Sequence, residues 1–534
     1  MKKVLIISSD VLDENMAGMG MRYWELAHAL AHTCQVTLAI PNQTQLNSAS
    51  VNLVSFDWEH GDLTDVARMA DVIIIQGFVL HFHPYLKTLG IPLAVDLYVP
   101  FILENLVWHD SDDWSTWIPA YEEYLRVQLE LLRAGDFFFC ASERQRDYWL
   151  GLLHAQKRIN PHTYRDDPAL RKLIDVVPFG LPSESPPPHR PVVKGIHKGI
   201  PKDCRLIIWN GGLWDWLDPL TLIRAVAELA QRHPDLRLFF MGTHHPNSVV
   251  TGMAMPERAI QLSQELGLFD RIIFFGSWIP YQERTNYLQE ADLGVVSSLD
   301  HIETRFSFRT RVLDCIWTRL PLVLTSGDVL ADMVVEAQVG MSVPPGEVPS
   351  MVNAIETMIY AGDTKIPQKS WSHLRETLCW ENVVIPLQTY CQNPYFAADK
   401  GKYLTEVERI SRDKDAFHKK VIQEKDAFLE KVILEKNAFL EQVIQEKNAF
   451  LEQVIQEKDA NFERVAQEKD AVIERVTREN ASLDQVMRDK ETLFTNVVNQ
   501  KEAAYNALAG DYNRLRSKFP LRIYYFICSK FNKK

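Results

Sequence analysis

The stretch CRLIIWNGGLWDWLDPLTLIRA, residues 204–225, decides the fold class of this chain. Its first part is apolar throughout, as in a strand buried on both faces, and this predicted strand ends at Gly211 and Gly212. Asp218 and Pro219 then have the pattern of a helix N-cap and a first helical residue. A strand, a glycine turn and a helix in this order predict an α/β unit whose turn and helix N-terminus favour an anion.

A second junction of this kind lies near the N-terminus, where AGMGMRYWELAHALA (17–31) follows an apolar run. Gly18 and Gly20 are the glycines of this turn, although a plain turn is an equal alternative because the full GxGxxG pattern is absent. Two such junctions, each at the carboxyl end of a strand, predict loops that face each other across a cleft between two lobes.

Short apolar runs continue this pattern on both sides of a proline-rich segment. The runs are VLIIS (4–8), QVTLAI (35–40), DVIIIQ (71–76), PLAVDL (92–97), DFFFCAS (136–142) and IDVVPFG (174–180), then LRLFFMG (236–242), RIIFFG (271–276), DLGVVSS (292–298) and PLVLTSG (321–327). They predict two Rossmann-like α/β lobes with parallel sheets. We expect lobes at 1–182 and 204–370, a linker at 183–203 and a closing helical segment at 371–400.

Residues 401–518 differ in composition, and a motif of the type EKDAFLEKVIL recurs every eleven residues between 424 and 478. Eleven residues make about three helical turns, so Phe428, Leu429 and Val432 and their repeats fall on one apolar face. This pattern predicts a long α-helical coiled coil through which the chain forms a homo-oligomer. The alternative is a lone charged helix.

The last segment, FPLRIYYFICSKFNKK (519–534), combines aromatic and basic residues. This composition predicts peripheral contact with an anionic membrane surface, and the alternative is a cap on the end of the coiled coil.

The overall composition excludes several classes of protein. The 534 residues carry a formal net charge of -12, which is a poor match to nucleic acid. The seven cysteines lack the spacing of a zinc site or a disulfide framework. We therefore expect a cytoplasmic protein, with peripheral contact at the inner face of the plasma membrane as a further option. The histidine pairs His81/His83 and His244/His245 lack a third ligand in the sequence, so no metal is expected.

The order and spacing of the motifs resemble the GT-B fold glycosyltransferases, in particular the retaining enzymes of glycosyltransferase family 4. The motifs that carry the resemblance span about residues 1–395 and include SERQRDY (142–148), VVPFGL (176–181), FFGSWIP (274–280), YLQEADLGVVSS (287–298) and ETRFSFRTRVLDCIWTRLPLVLTSGD (303–328). The resemblance implies a metal-independent, hexosyltransferase-like enzyme without a cofactor. Its donor would be a nucleotide-sugar, and its acceptor a glycan, a polysaccharide or a lipid-linked sugar.

The resemblance also implies a set of donor-binding residues. It assigns the loops that face the donor phosphates to Gly18 and Gly20 and to Gly211 and Gly212. It assigns Trp278 and Ile279 to the nucleotide base and Asp314 to the ribose hydroxyl groups, because a carboxylate accepts two hydrogen bonds from a diol.

The sequence departs from the family pattern at the catalytic positions. Glu303 precedes Asp314 by eleven positions, where the family has E-x7-E, and we assign Glu303 to the donor sugar. The family's phosphate-binding cations fall at uncharged residues, so Arg305, Arg309 and Arg311 are the expected substitutes.

Asp96 is the nearest match to a first-lobe catalytic histidine of the family, and it would orient or deprotonate the acceptor. A structural aspartate is the alternative for this position.

Two other functions are compatible with the sequence. In the first, the lobes are catalytically silent and the coiled coil spaces or clusters partners at a membrane. The uncharged residues at the expected phosphate loop favour this scaffold. The second is another GT-B reaction, such as nucleotide-sugar epimerisation or phosphorolysis, in which the helical segment has no evident role.

Overall fold

The computed structural model describes residues 1–58, 61–108, 113–243, 253–361, 366–402, 406–461, 473 and 475–496. These residues form two units that divide after Tyr403. The first unit contains two α/β lobes and the second is helical.

The first lobe is built on a seven-stranded parallel sheet with the order β3-β2-β1-β4-β5-β6-β7. Its strands are β1 Lys3–Ile7, β2 Gln35–Ile40, β3 Val51–Ser55, β4 Val72–Ile75, β5 Leu93–Asp96, β6 Phe137–Cys140 and β7 Ile174–Val176. Its helices are α1 Gly18–Ala31, α2 Thr64–Arg68, α3 Val79–Phe82, α4 Phe101–Trp108, α5 Trp114–Ala134, α6 Glu143–Ala155 and α7 Pro161–Asp166.

The second lobe has a six-stranded parallel sheet with the order β10-β9-β8-β11-β12-β13. Its strands are β8 Arg205–Gly212, β9 Leu236–Gly242, β10 Ile273–Phe275, β11 Leu293–Val296, β12 Leu322–Thr325 and β13 Gly340–Val343. Its helices are α8 Pro219–Leu229, α9 Met255–Glu265, α10 Arg284–Glu290, α11 Ile302–Phe306, α12 Thr310–Thr318, α13 Val329–Glu336 and α14 Val348–Tyr360.

The strand order reverses at one place in each sheet, between β1 and β4 and between β8 and β11. In open α/β sheets, ligands bind at the carboxyl ends of the strands beside such a reversal. The predicted glycines lie beside these two points, because Gly18 and Gly20 open α1 after β1, and Gly211 and Gly212 end β8. The fold therefore confirms two Rossmann-like lobes.

Three helices after the second lobe return to the first: α15 Gln368–Leu378, α16 Trp380–Val383 and α17 Ile385–Gln392. A Cβ atom at Gly180 would lie 2.6 Å from the Trp380 ring, so this approach requires glycine. The Tyr390 ring stacks on Phe137 with ring centres 4.6 Å apart. The closing segment thus packs against the first lobe.

Two strands were not predicted from the sequence, β3 and β13, and both lie at a sheet edge. Their side chains are buried only in part. In β3 only Val51 is fully buried, and in β13 only Val343; the other residues are half-buried or exposed. An edge strand with a solvated face lacks the continuous apolar run of a central parallel strand. The central strands agree with the predicted runs to within two residues at their ends.

The second unit begins with a single helix, α18 Glu406–Asn461, and residues 475–496 are also helical. The two segments meet where the Lys490 ammonium group lies 3.7 Å from the centre of the Phe439 ring. Phe417 and Phe450 of α18 are 64% and 45% exposed, in line with the eleven-residue repeat. The coiled coil and its oligomer stay predictions.

The proposed membrane segment, 519–534, lies outside the described residues, and liposome flotation with and without it would test the prediction. Within the described part of the chain, no helix combines the length and the apolarity needed to cross a membrane.

Candidate functional site

A cleft of about 520 Å³ lies between the two lobes, at the carboxyl ends of both sheets. From the first lobe it is lined by residues that follow β1, by the start of α1 and by α4; these include Ser9, Asp10, Gly18, Tyr98, Phe101, Glu104, Asn105 and Trp108. From the second lobe it is lined by Asn210, Gly211, Gly212, Trp214, Trp216, Gly242, Trp278, Ile279, Arg284, Arg309, Arg311 and Asp314. Its size is typical of a small-molecule site.

The glycine turn after β8 is packed against Arg311. Gly211 has a φ of +109°, and a Cβ atom there would lie 3.4 Å from Arg311 Nη2. The same Nη2 donates a hydrogen bond to the Gly212 carbonyl at 3.1 Å, and Asn210 Nδ2 donates to the Arg311 carbonyl at 2.8 Å. The turn therefore needs glycine and fixes the guanidinium group at the cleft.

The two glycines of the first turn have different environments. A Cβ atom at Gly18 would meet nothing within 4 Å, and Gly18 lines the cleft. A Cβ atom at Gly20 would lie 2.6 Å from the Val11 carbonyl oxygen. Gly20 is buried and does not line the cleft, so its expected role at the donor is corrected to close packing of α1.

Arg309 and Arg311 place two positive charges at the cleft. Burial works against the charge of Arg309, but the adjacent Glu303 carboxylate raises its pKa. Burial and the nearby Arg309 lower the pKa of Arg311 to about 9. Arg309 Nε and Arg311 Nη1 are buried and have no hydrogen-bond acceptor among the described residues. Such donors favour a bound anion, which would supply the missing acceptors and counter-charge.

Glu303 lies behind Arg309 and does not line the cleft. The residue is fully buried, its Oε2 accepts a hydrogen bond from Arg309 Nη2, and His301 Nδ1 is 3.7 Å from the same oxygen. The expected contact of Glu303 with the donor sugar is thus corrected, because its carboxylate binds Arg309 and does not line the cleft.

Arg305 is not part of the cleft. The residue is exposed, and its guanidinium carbon lies 5.9 Å from the centre of the Phe306 ring. The short helix α11 carries Arg305 on its outer side, so the expectation that it neutralises a diphosphate is corrected.

Asp96 is buried, and both of its carboxylate oxygens already accept hydrogen bonds from other residues. Arg22 donates to both of its carboxylate oxygens at 2.7 and 3.2 Å, and the Tyr98 backbone N–H donates at 3.0 Å. Both side chains of the Arg22–Asp96 pair are 0% exposed. An acceptor hydroxyl group therefore cannot reach Asp96, and its expected catalytic role is corrected to the structural alternative.

Asp314 lines the cleft together with Trp278 and Ile279, and their expected contacts with a nucleoside stay a prediction. Arg284 Nε donates to Asp314 Oδ1 at 3.0 Å, and the Arg284 guanidinium lies 3.7 Å from the centre of the Tyr281 ring. Arg284 was not predicted from the sequence, because it lies 30 positions before Asp314 and no motif connects the two.

Two further features of the cleft, a group of tryptophan rings and a glutamate, were not predicted from the sequence. The rings of Trp214 and Trp216 stack with centres 5.4 Å apart and planes inclined by 2°, and Trp108 lines the cleft from α4 of the first lobe. Glu104, also on α4, is half-buried. Burial and the neighbouring Glu303 raise the pKa of Glu104 to about 8, against the influence of Arg309.

The segment that carries Arg309 is held by the first lobe. Tyr98 Oη donates to the Phe308 carbonyl at 2.8 Å, and Gln145 Nε2 donates to the Phe306 carbonyl at 2.7 Å. Backbone carbonyl groups on one lobe thus accept hydrogen bonds from side chains on the other. Side chains of the first lobe therefore help to hold the segment that carries Arg309.

Across the part of the chain that the structure describes, no three His, Cys, Asp or Glu side chains are placed to share a metal ion. His81 Nδ1 lies 2.8 Å from Arg126 Nη2, and His83 packs against the rings of Phe56 and Trp58. His244 and His245 lie outside the described residues.

The second lobe is similar to a known protein family. Residues 204–360 match the family described as glycosyl transferases group 1. A D-inositol 3-phosphate glycosyltransferase of Corynebacterium aurimucosum is 29% identical over 164 residues, which are 30% of this chain and 36% of that protein. The corresponding enzyme of Corynebacterium urealyticum is 25% identical over 185 residues, 34% of this chain and 42% of that protein. The chain thus spans less than half the length of these curated relatives.

Solved structures resemble about three quarters of this chain. Sucrose-phosphate synthase from Thermosynechococcus elongatus has a TM-score of 0.54 at 16% identity, over 73% of this chain and 99% of that chain. A glycosyltransferase from Rickettsia africae has a TM-score of 0.50 at 13% identity, over 74% of this chain and 99% of that chain. The first unit therefore has the two-lobed GT-B fold, and its second lobe is similar to the glycosyl transferases group 1 family.

Proposed function

We propose that this protein is a glycosyltransferase that moves a sugar from a nucleotide-sugar donor to a hydroxyl group of a glycan, polysaccharide or lipid-linked acceptor, at the cytoplasmic face of a membrane. The observation that carries the proposal is the pair Arg309 and Arg311 beside the Gly211–Gly212 turn, with buried N–H groups that lack acceptors among the described residues. A diphosphate offers several anionic oxygens, and guanidinium groups bind such oxygens in pairs.

In the proposed reaction the second lobe holds the nucleoside diphosphate. Asp314 binds the ribose through the oxygen that Arg284 leaves open, and Trp278 and Ile279 contact the base. As the bond to the sugar breaks, Arg309 and Arg311 stabilise the negative charge that develops on the leaving diphosphate. The two guanidinium groups supply this positive charge, so we propose a reaction without a metal ion. Retention of configuration is proposed from the family resemblance.

The scaffold alternative has less support than the enzyme. It was favoured by the uncharged residues at the expected phosphate loop, Gly212 among them. Arg311, which donates to the Gly212 carbonyl at 3.1 Å, brings a cation to that loop from a distant part of the sequence. The positive charge expected at this loop is therefore present, although the residue that supplies it lies at a different position in the sequence than in the family.

Binding of nucleoside diphosphates to the full chain tests the proposed function. We expect one of UDP, GDP or ADP to raise the melting temperature, since a ligand that binds the native state stabilises it by mass action. We expect Asp314→Ala to weaken that nucleotide about tenfold, the effect of about one lost hydrogen bond to a charged group. Isothermal titration calorimetry measures both.

Asp300→Ala removes an exposed carboxylate outside the cleft and is the matched control. Its affinity for the nucleotide should equal that of the unaltered protein. If none of the three nucleotides binds, the enzyme proposal fails and the scaffold is the better reading. Equal weakening of nucleotide binding in both variants would show that Asp314 does not belong to the site.

We propose further that the second unit joins copies of the chain through the phenylalanine side of α18. Replacing Phe417 and Phe450 with lysine is expected to shift the full chain from oligomer to monomer in sedimentation velocity, because the buried apolar contacts are lost. Gln445→Lys, at an exposed polar position of the same helix, should leave the oligomer intact. A monomeric unaltered chain would overturn this proposal.

A further inference from the structure

We infer that Tyr281 and Arg284 are positioning residues that hold the Asp314 carboxylate in the orientation needed to bind the ribose of the donor. The first lobe takes part in this arrangement through Glu25. The inference rests on the proposed function, in which Asp314 binds the ribose, and it adds the residues that support this contact.

Arg284 fixes one side of the Asp314 carboxylate. Its Nε donates to Asp314 Oδ1 at 3.0 Å, and the two side chains are 13% and 24% exposed. Asp314 lines the cleft, so its carboxylate contacts both the guanidinium group and the space that a donor would occupy. A carboxylate that is already held in one rotamer loses less conformational entropy when a ligand binds. Arg284 therefore preorganises Asp314 for a hydrogen bond from a ribose hydroxyl group.

Arg284 is itself held by Tyr281 and by α12. Its Nη1 donates to the Tyr281 carbonyl at 2.6 Å, and its guanidinium carbon lies 3.7 Å from the centre of the Tyr281 ring and 5.5 Å from that of Trp317. Burial works against the charge of Arg284, but Asp314 and Tyr281 raise its pKa above the usual value. Arg284 is thus a cation whose position is set by a carbonyl group, two rings and a carboxylate.

Tyr281 connects this arrangement to the first lobe. Its Oη donates to Glu25 Oε1 at 2.6 Å, and its backbone N–H donates to the Glu14 carbonyl at 2.9 Å. Glu25 lies on α1, the helix that begins with Gly18 at the cleft. Burial raises the pKa of Tyr281, against the influence of Arg284, so the hydroxyl group keeps the proton that it donates. The first lobe therefore supports a residue of the nucleoside subsite on the second lobe.

The loop between β10 and α10 brings these contacts together with those proposed for the base. Trp278 and Ile279 lie three and two positions before Tyr281. The two contacts of Tyr281 with the first lobe therefore hold the same loop from which Trp278 and Ile279 line the cleft. We expect Tyr281 and Arg284 to affect binding of the nucleoside and to leave the rate of the transfer step unchanged.

Arg284→Met tests the inference through the contribution of the ribose hydroxyl groups. The probes are UDP, GDP and ADP and their 2′,3′-dideoxy forms, titrated into the full chain by isothermal titration calorimetry. The unaltered protein should bind its nucleotide about tenfold more tightly than the dideoxy form, the effect of about one hydrogen bond to a charged group. Arg284→Met should lose most of this preference. Added to Asp314→Ala, it should have no further effect, because no carboxylate is left to position.

Tyr281→Phe is the smaller change, because it keeps the ring over Arg284 and removes only the hydrogen bond to Glu25. It should weaken the nucleotide about threefold, as Glu25→Ala should, and the two changes together should weaken it no more than either alone. Hydrolysis of the corresponding nucleotide-sugar should show a raised KM with unchanged kcat. Tyr164→Phe and Arg258→Met alter exposed residues outside the cleft and are the matched controls, with unchanged affinity and ribose preference.

The outcomes separate this inference from the proposed function. If Arg284→Met keeps the ribose preference of the unaltered protein, or if its effect adds to that of Asp314→Ala, the positioning role is overturned while the enzyme proposal stands. Equal binding of the nucleotide and its dideoxy form by the unaltered protein would overturn it as well. Unchanged affinity in both Tyr281→Phe and Glu25→Ala would overturn the contribution of the first lobe. If none of the nucleotides binds, the proposed function itself fails.

Discussion

Arg311→Met is expected to lower turnover about 100- to 1,000-fold, the effect of removing one preorganised donor from a developing negative charge. Methionine keeps much of the volume and the unbranched shape of the side chain but removes the charge. Arg311 has no carboxylate partner among the described residues, so the variant leaves no acidic group unpaired in the protein. Release of the nucleoside diphosphate from a nucleotide-sugar measures the rate, and calorimetry with the nucleotide measures the affinity.

Arg305→Met is the matched control, because Arg305 lies six positions earlier but is exposed and outside the cleft. Its turnover should stay within about twofold of the unaltered protein, since the charge of an exposed cation outside the cleft is largely screened by water and salt. Equal rates for the two variants would contradict the assignment of Arg311. A similar large loss in both would point to general charge effects instead of the cleft geometry.

Asp96→Ala is expected to destabilise the first unit by about 3–5 kcal/mol. The Arg22 guanidinium is 0% exposed, and removal of its carboxylate partner leaves a buried charge without compensation. Arg22 also donates to the Val177 carbonyl at 2.9 Å and lies 4.3 Å from the centre of the Tyr98 ring, so it has no route to solvent. Urea unfolding followed by tryptophan fluorescence measures the free energy of unfolding.

An exposed ion pair serves as the control for this experiment. Asp166→Ala removes the partner of Lys172, a pair with an N–O distance of 3.2 Å and 55% and 40% side-chain exposure. It should change the free energy of unfolding by at most about 1 kcal/mol, because exposed pairs are well solvated. If Asp96→Ala is as mild as this control, the buried pair is not the structural element described above, and a catalytic role for Asp96 would return.

The strands and the glycine turns could be predicted because their signals are local. A central strand of a parallel sheet is buried on both faces, so DVIIIQ and PLAVDL are mostly apolar and can be recognised in a single sequence. The strands β3 and β13 lack this signal because most of their side chains are half-buried or exposed. Gly211 was predictable for the same reason, since a turn with a positive φ favours glycine.

The site could be predicted only where its residues follow one another in the chain. Arg309, Arg311 and Asp314 lie in one short segment, and all three line the cleft. Arg305 lies in the same segment, but nothing in its spacing shows that α11 turns it outward. The contact of Glu303 with Arg309, six positions away, depends on how the loop between α11 and α12 folds. The sequence does not reveal this contact, so Glu303 was assigned to the sugar.

The sequence alone determined that this chain has two parallel α/β lobes, a glycine turn at the head of each and a helical segment with an eleven-residue period. Only the tertiary structure decided which charges meet. Asp96 pairs with Arg22, 74 positions away, and Arg311 reaches Gly212 across 99 positions. Propensity and hydrophobic periodicity act between neighbours in the chain, whereas the position of a buried charge is set by which distant groups can solvate it.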